Sequence, residues 1–299
     1  MEPKNSVDAT GAVALIAFSA LLGFNQVVIK FTNEGLQPVF WAGLRSAIAA
    51  ICVAAWILFI GRRIRFAPGT ALAGIIAGLI FGFEFLMLFL ALDLTTVTRT
   101  SIIFYSMPVW LAIAAHFLIP GERLSAVRIT GLVLSLVGVA WAILSRSDSA
   151  AEGSLTGDLC ALAASIGWAG IPLCARITAL KRVEPEMQLF WHTIVSAPFL
   201  LILAPLFGPA VRDFQSLHML ALMFQSVIVV AGGFMFWLHL LRRYPASTVA
   251  SFSFLGPIFG VLFGWLLLGE QFGNDLIFSL VCVAAGIILI NRPAQPADQ

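Results

Sequence analysis

The sequence predicts an all-α integral membrane protein: ten transmembrane helices arranged as two five-helix halves that enter the membrane in opposite orientations. Three observations predict it. The 299 residues are 60% hydrophobic and only 11% charged, with a mean hydropathy of +0.99. A soluble chain carries roughly 25% charged residues, so the solvent here is the bilayer. Ten stretches are apolar over about the 20 residues that a helix needs to cross the hydrocarbon. One pattern also occurs twice: Pro108, Gly121-Glu122 and Gly138 recur about 149 residues on as Pro257, Gly269-Glu270 and Gly286, with 16 residues from Glu to the last Gly in both copies. A repeat of that length in so apolar a chain marks two fused halves of one membrane fold, residues 1–150 and 151–299.

Helix one, over 11–31, follows the leader MEPKNSVDAT. Its apolar core is too long for a signal peptide and its leader too poorly basic, so it is expected to be retained. Helix two, over 37–60, opens at Pro38 and carries Arg45. Helix three, over 70–92, carries Glu84 within IFGFEFLMLFL, and Gly74, Gly78 and Gly82 at four-residue spacing. That spacing admits a closely packed neighbour, from the other half or from a second copy. Helix four, over 97–118, contains Pro108 and ends before Gly121-Glu122; helix five covers 126–145. The second half repeats the scheme over 158–179, 187–207, 218–240, 246–268 and 275–291. Pro108, Pro172, Pro198 and Pro257 interrupt helices four, six, seven and nine; each frees a carbonyl and bends its helix. Either static bends or hinges result, and Pro108 and Pro257, placed symmetrically by the repeat, are the hinge candidates. The Gly-Glu turns read as architecture: Gly ends one helix and the acid sits near the start of the next, where the dipole favours it. The loops are short, leaving no room for a soluble domain. A β-barrel would show alternating segments of about 10 residues instead.

Arg and Lys in short loops mark the cytoplasmic side. One set of alternate loops holds Lys4, Arg62, Arg63, Arg65, Arg123, Arg128, Lys181, Arg182, Arg242, Arg243 and Arg292; the other holds Lys30, Arg99, Arg146 and Arg212. Both termini are therefore expected in the cytoplasm. With five helices per half, the second half enters inverted, an architecture characteristic of secondary transporters with a midplane substrate site between the halves. No G-x-x-x-x-G-K-[ST] loop is present, so ATP does not drive the chain directly. A lipid-modifying membrane enzyme would need clustered acids or histidines at a membrane face, and a channel a continuous pore motif.

Glu84 and Arg45 are the charges set deepest in apolar sequence. A charge in hydrocarbon costs at least about 2.5 kcal/mol, so each should face a cavity or a partner. Each lies eight residues, about 12 Å, from the predicted outer end of its helix. Sharing that depth, they can pair, bind a zwitterionic substrate together, or form an architectural lock; Glu84 is also the candidate for carrying a coupling proton. Aligning Pro38 with Pro185 sets His192 opposite Arg45, seven residues on in both. It can help release or admit substrate, relay a proton, or bond a neighbouring helix. His116 and His239 fall near helix ends, and the four His have no metal spacing, so no metal or cofactor is expected. The four cysteines form no Cys-x-x-Cys pair. Trp168 aligns with Phe24. Trp168, Tyr105, Trp191 and Trp237 are candidate aromatic walls for an apolar or cationic substrate part, or else lipid-facing packing. Asn25, Gln26, Ser101, Ser106, Gln188 and Ser253 are candidate hydrogen-bonding groups. The candidate substrate site is thus Glu84, Arg45, Tyr105, Trp168, His192, Asn25 and Ser106. Where the halves differ is most informative: Glu84 aligns with Gly233, and Arg45 with His192.

Gly-Phe-Asn-Gln-x-x-x-Lys from Gly23 to Lys30, Arg45 seven residues after Pro38, and an internal Pro followed by Gly-Glu in helices four and nine resemble the drug/metabolite transporter superfamily, specifically its ten-helix EamA-type members. The resemblance covers nearly the whole chain as two EamA repeats. It implies a multi-pass protein of the bacterial inner membrane that moves a small polar or amphipathic metabolite, an amino acid or related compound being favoured, and very often exports it. The alternatives are uptake of a metabolite or vitamin-like compound, or a polytopic membrane enzyme. The expected partners are a small-molecule substrate, the lipid bilayer and protons as a coupling ion, without nucleic acid, in a monomer or homodimer. With only Tyr105 and Tyr244 against 25 Phe and 8 Trp, the sequence departs from members that resemble aromatic amino-acid exporters.

Overall fold

The computed structural model describes residues 8–122, 124–145, 153–244, 252–271 and 273–291. Of the loop charges used for orientation, Lys4, Arg123, Arg146 and Arg292 lie outside them, as do the side chains of Arg242 and His239. The described residues are helical and linked by turns. The helices are α1 (Ala9–Gly35), α2 (Pro38–Phe59), α3 (Ala71–Leu94), α4 (Val97–Phe104), α5 (Met107–Leu118), α6 (Ala126–Leu144), α7 (Leu155–Ile177), α8 (Pro185–Leu203), α9 (Ser216–Met223), α10 (Phe234–Arg243), α11 (Leu255–Leu268) and α12 (Asn274–Ile290). Joining collinear pieces gives eight helices long and apolar enough to cross a membrane, from Ala9–Gly35 to Ser216–Trp237, and two shorter apolar helices, Phe252–Leu268 and Asn274–Ile290. Residues 246–251 of the ninth predicted helix lie outside the described residues.

The starts of the helices follow from short polar side chains that satisfy free amides. Asp8 accepts from the Gly11 amide at 2.8 Å and Thr96 from the Arg99 amide at 3.1 Å; Ser125 and Ser154 do the same for α6 and α7. Two predicted helices are not regular α-helix throughout. The fourth stops at Phe104 and restarts at Met107, with Tyr105 and Ser106 between. Pro108 therefore sits in the first turn of a new helix, where its missing N–H costs nothing. The eighth joins α9 to α10 through a π-helical stretch, Phe224–Gly233, a wide-turn geometry often found at functional sites. Pro172 and Pro198, in contrast, lie inside unbroken helices.

Glycines set the tightest helix contacts. A Cβ on Gly74 would strike the Trp191 ring; one on Gly78 would lie 2.5 Å from Val195 Cβ, and one on Gly82 2.6 Å from Phe199 Cδ1. The four-residue stripe thus lets α3 lie directly on α8. The last glycines of the duplicated pattern serve α6 and α12 reciprocally: Gly138 faces Cys282 and the Ser279 carbonyl, while Gly286 faces Ser135 and the Gly131 carbonyl.

Connectivity gives the bundle two ends. At one, Gln37 N–H donates to Ala210 O at 3.0 Å and Arg212 N–H to Gly35 O at 3.0 Å. There the Arg212 guanidinium also grips Asp93 through two bonds of 2.7 and 3.0 Å. Glu270 accepts from the Val97 and Thr98 amides at 2.7 and 2.8 Å. The Gly269-Glu270 turn therefore ends α11 with a left-handed glycine, φ 64°, and its acid caps α4, not the helix that follows it in sequence. At the other end Arg62 bonds Glu184 and Glu186, each at 3.2 Å, and Arg176 pairs with Glu122.

Candidate functional site

Arg45 on α2 and Glu84 on α3 are 1% and 3% exposed. The Arg45 guanidinium carbon stands 3.7 Å from the centroid of the Phe85 ring and 5.1 Å from that of Phe89. Such a contact contributes about 2 kcal/mol when desolvated. It leaves Arg45 Nε and Nη2 without a hydrogen-bond acceptor, and Glu84 Oε2 has no donor. The two charges lie within coulombic range of each other, yet among the described residues no direct ion pair joins them. Two donors and an acceptor, buried and opposite in charge, are thus left without hydrogen-bond partners.

Phe81, Phe85 and Phe89 recur every fourth residue, so they share one face of α3. Phe85 lies edge-on to Phe81 at 4.7 Å, and Phe81 stacks on His192 of α8 at 5.3 Å. His192 is 2% exposed and neither ring nitrogen has a partner. An aromatic track therefore runs from Arg45 to His192. The three phenylalanines were not among the sequence candidates; their four-residue spacing around Glu84 was the available signal.

On the other side of Glu84, α7 approaches through Gly167, where a Cβ would lie 3.2 Å from Glu84 Cα. The next residue, Trp168, stacks on Phe104 at 4.8 Å and meets Tyr105 edge-on at 5.8 Å. Ser106 fixes the break between α4 and α5: its hydroxyl donates to Ile103 O at 2.6 Å, lies 3.0 Å from Ser165 Oγ, and accepts from Trp110 Nε1 at 3.3 Å. Tyr105, Ser106 and Trp168 therefore form one wall.

The remaining candidates fall elsewhere. Asn25 is buried on α1 with its Oδ1 unpartnered, but among the described residues no hydrogen bond or ring contact ties it to either group. Gln26 accepts from Ser101 Oγ at 2.5 Å. Gln188 braces the turn before α8 by donating to Leu180 O and Val183 O, both at 2.9 Å. Ser253 accepts from Asn291 Nδ2 at 3.3 Å. Trp191 packs on Phe66 and Trp237 on Phe18, while His116 lies against Phe117. Arg99, read from sequence as a loop charge, is instead buried in α4. It pairs with Asp158 at 2.8 Å, with the two side chains 1% and 0% exposed, and also donates to Ala142 O. Asp158 is 59 residues away in sequence, so no local pattern announces the pair.

Bilayer-length helices around opposite buried charges define a polytopic membrane protein with a polar interior. The chain belongs to the EamA-like transporter family, whose model matches it twice, over residues 9–144 and 155–292. It is accordingly a membrane transporter and not an enzyme. It is 25% identical to the uncharacterized transporter YoaV of Bacillus subtilis, over 93% of this chain and 95% of that protein. It is 27% identical to a probable amino-acid metabolite efflux pump of Salmonella typhimurium, over 93% of each, and 25% identical to one of the same name from Escherichia coli, again over 93% of each. A solved crystal structure shares the fold with a TM-score of 0.65 at 21% identity, covering 93% of this chain and 97% of the other.

Proposed function

We propose that the protein is a secondary carrier of the bacterial inner membrane that exports an amino acid or a closely related zwitterion by alternating access. In this reading Phe252–Leu268 and Asn274–Ile290 complete ten membrane helices in two inverted halves, 1–150 and 151–299, with both termini cytoplasmic. The observation that carries it is the Arg45–Glu84 arrangement. A substrate carboxylate fits the free Arg45 donors, and a substrate ammonium fits Glu84 Oε2. The Phe85–Phe81 track and the Trp168–Tyr105 wall offer apolar surface to the rest of the molecule. A zwitterion satisfies both charges at once; an uncharged solute satisfies neither, and buried charges without partners are costly. Export is favoured by the relatives named as amino-acid metabolite efflux pumps. Alternating access is favoured by the reciprocal Gly138/Gly286 contact, which is what a two-fold axis between α6 and α12 would produce.

Counterflow in proteoliposomes, run over a panel of amino acids, tests this. Saturable exchange of at least one amino acid is expected, falling about tenfold or more in both Arg45→Gln and Glu84→Gln at equal reconstituted protein. Near-normal exchange by both variants removes the pair from the mechanism.

A further inference from the structure

A polar concavity lies outside the Arg45–Glu84 pair, at the start of α8. A surface cavity of about 210 Å³ opens where the end of α2 meets the start of α8, lined by Arg62, Arg63, Arg65, Arg182, Glu184 and Glu186 among others. Its walls are fixed by the local chain. Gly61, at φ 74°, donates to Leu58 O, and Arg62 N–H donates to Ile57 O, both at 3.0 Å. These are the two bonds with which a left-handed glycine stops a helix. Phe66 pins the far side of the loop, its ring 4.6 Å from that of Trp191 and 6.2 Å from that of Phe190. Opposite stands the short turn Ala179–Arg182, braced by Gln188.

The charges in this basin do not cancel. Arg62 is engaged by Glu184 and Glu186, each at 3.2 Å. Arg63, Arg65 and Arg182 line the same cavity without an acidic partner among the described residues. Three guanidinium groups around one hollow repel unless an anion offsets them, and guanidinium matches a phosphate oxyanion bidentately. Beside the hollow, the last turn of α2 exposes Trp56, Phe59 and Ile60, Phe59 by 84%. Aromatic and aliphatic side chains next to arginines at the end of a spanning helix mark the boundary between hydrocarbon and water. We propose that the Arg63–Arg65–Arg182 basin binds the phosphate of an anionic phospholipid headgroup, with the acyl chains lying along the Trp56–Ile60 face. A free phosphate ester presents the same oxyanion but nothing to cover that face.

The test is native mass spectrometry of the detergent-solubilised full chain with dioctanoyl phosphatidylglycerol, dioctanoyl phosphatidylcholine and sn-glycerol 3-phosphate. Phosphatidylglycerol should bind more tightly than either of the others. Its affinity should fall about tenfold or more in Arg63→Gln/Arg65→Gln/Arg182→Gln and stay unchanged in Arg128→Gln, a basic residue outside the basin. Weakening of wild-type binding by added salt supports the same conclusion without any variant. Equal binding by the triple variant, equal binding of phosphatidylcholine, or binding of glycerol phosphate as tight as that of the lipid would each overturn the proposal.

Discussion

Arg45 and Arg99 are both buried, at 1% exposure each, but their surroundings differ, and in the proposed function so do their tasks. Arg99 spends its donors on Asp158 and the Ala142 carbonyl, and Asp158 also accepts from Thr95 Oγ1 at 2.9 Å. These bonds are made within the protein, and the pair locks α4 to α7. Arg45 rests on phenylalanine faces with Nε and Nη2 unused. Removing one member of a buried pair costs about 3–5 kcal/mol. Asp158→Ala should therefore sharply lower the thermal unfolding temperature of the solubilised protein, whereas Glu84→Gln, which breaks no direct ion pair, should lower it little. Equal loss of stability in the two variants would contradict this division. Sequence alone singles out Arg45 and Glu84 as buried charges, because each interrupts an apolar run. It misplaces Arg99, whose proximity to a helix start looks like a loop and whose partner is distant.

At the scale of elements, hydropathy finds the helices well because bilayer length is a strict requirement, and the described bounds of the first eight agree with the sequence reading to within a few residues. What it misses is internal geometry. Pro108 predicts a bend four residues upstream, but the chain instead breaks at Tyr105–Ser106 and uses the proline to begin α5. The π-helical stretch Phe224–Gly233 is not read from the sequence. The glycine stripe on α3 is legible as a close-packing surface, but only the fold names α8 as its partner. Gly78→Leu should drive a side chain into Val195 and the Trp191 carbonyl, destabilising the solubilised protein by about 1–3 kcal/mol. Val195→Ala added to it should recover part of that loss. A thermal unfolding series of the two single variants and the double variant reads both effects; strictly additive losses would show that α8 is not what Gly78 accommodates.

Across the whole molecule, ion pairs at its two ends tie elements from the two proposed halves: Asp93 to Arg212 at one, Arg62 to Glu184 and Glu186 at the other. A carrier that opens alternately must release such contacts in turn, so each should be weak enough to break on every cycle. The exposure of two of them fits this requirement, since the Arg62–Glu184 side chains are 45% and 61% exposed and the Arg212–Asp93 side chains 37% and 20%, whereas Glu186 is 9% exposed. Pairs of this kind contribute about 0.2–1 kcal/mol. The buried Arg99–Asp158 pair joins α4 to α7 across the proposed halves as well, and its burial suits a contact that stays closed. Arg212→Gln should then leave the unfolding temperature nearly unchanged. It should shift the balance between the two access states by up to about fivefold, because a ligand-independent bias can move a two-state population only by its own free energy. In proteoliposomes the half-saturating substrate concentration for counterflow should change by a comparable factor. A large loss of stability would make Arg212 a structural brace, and unaltered kinetics would remove it from the access cycle.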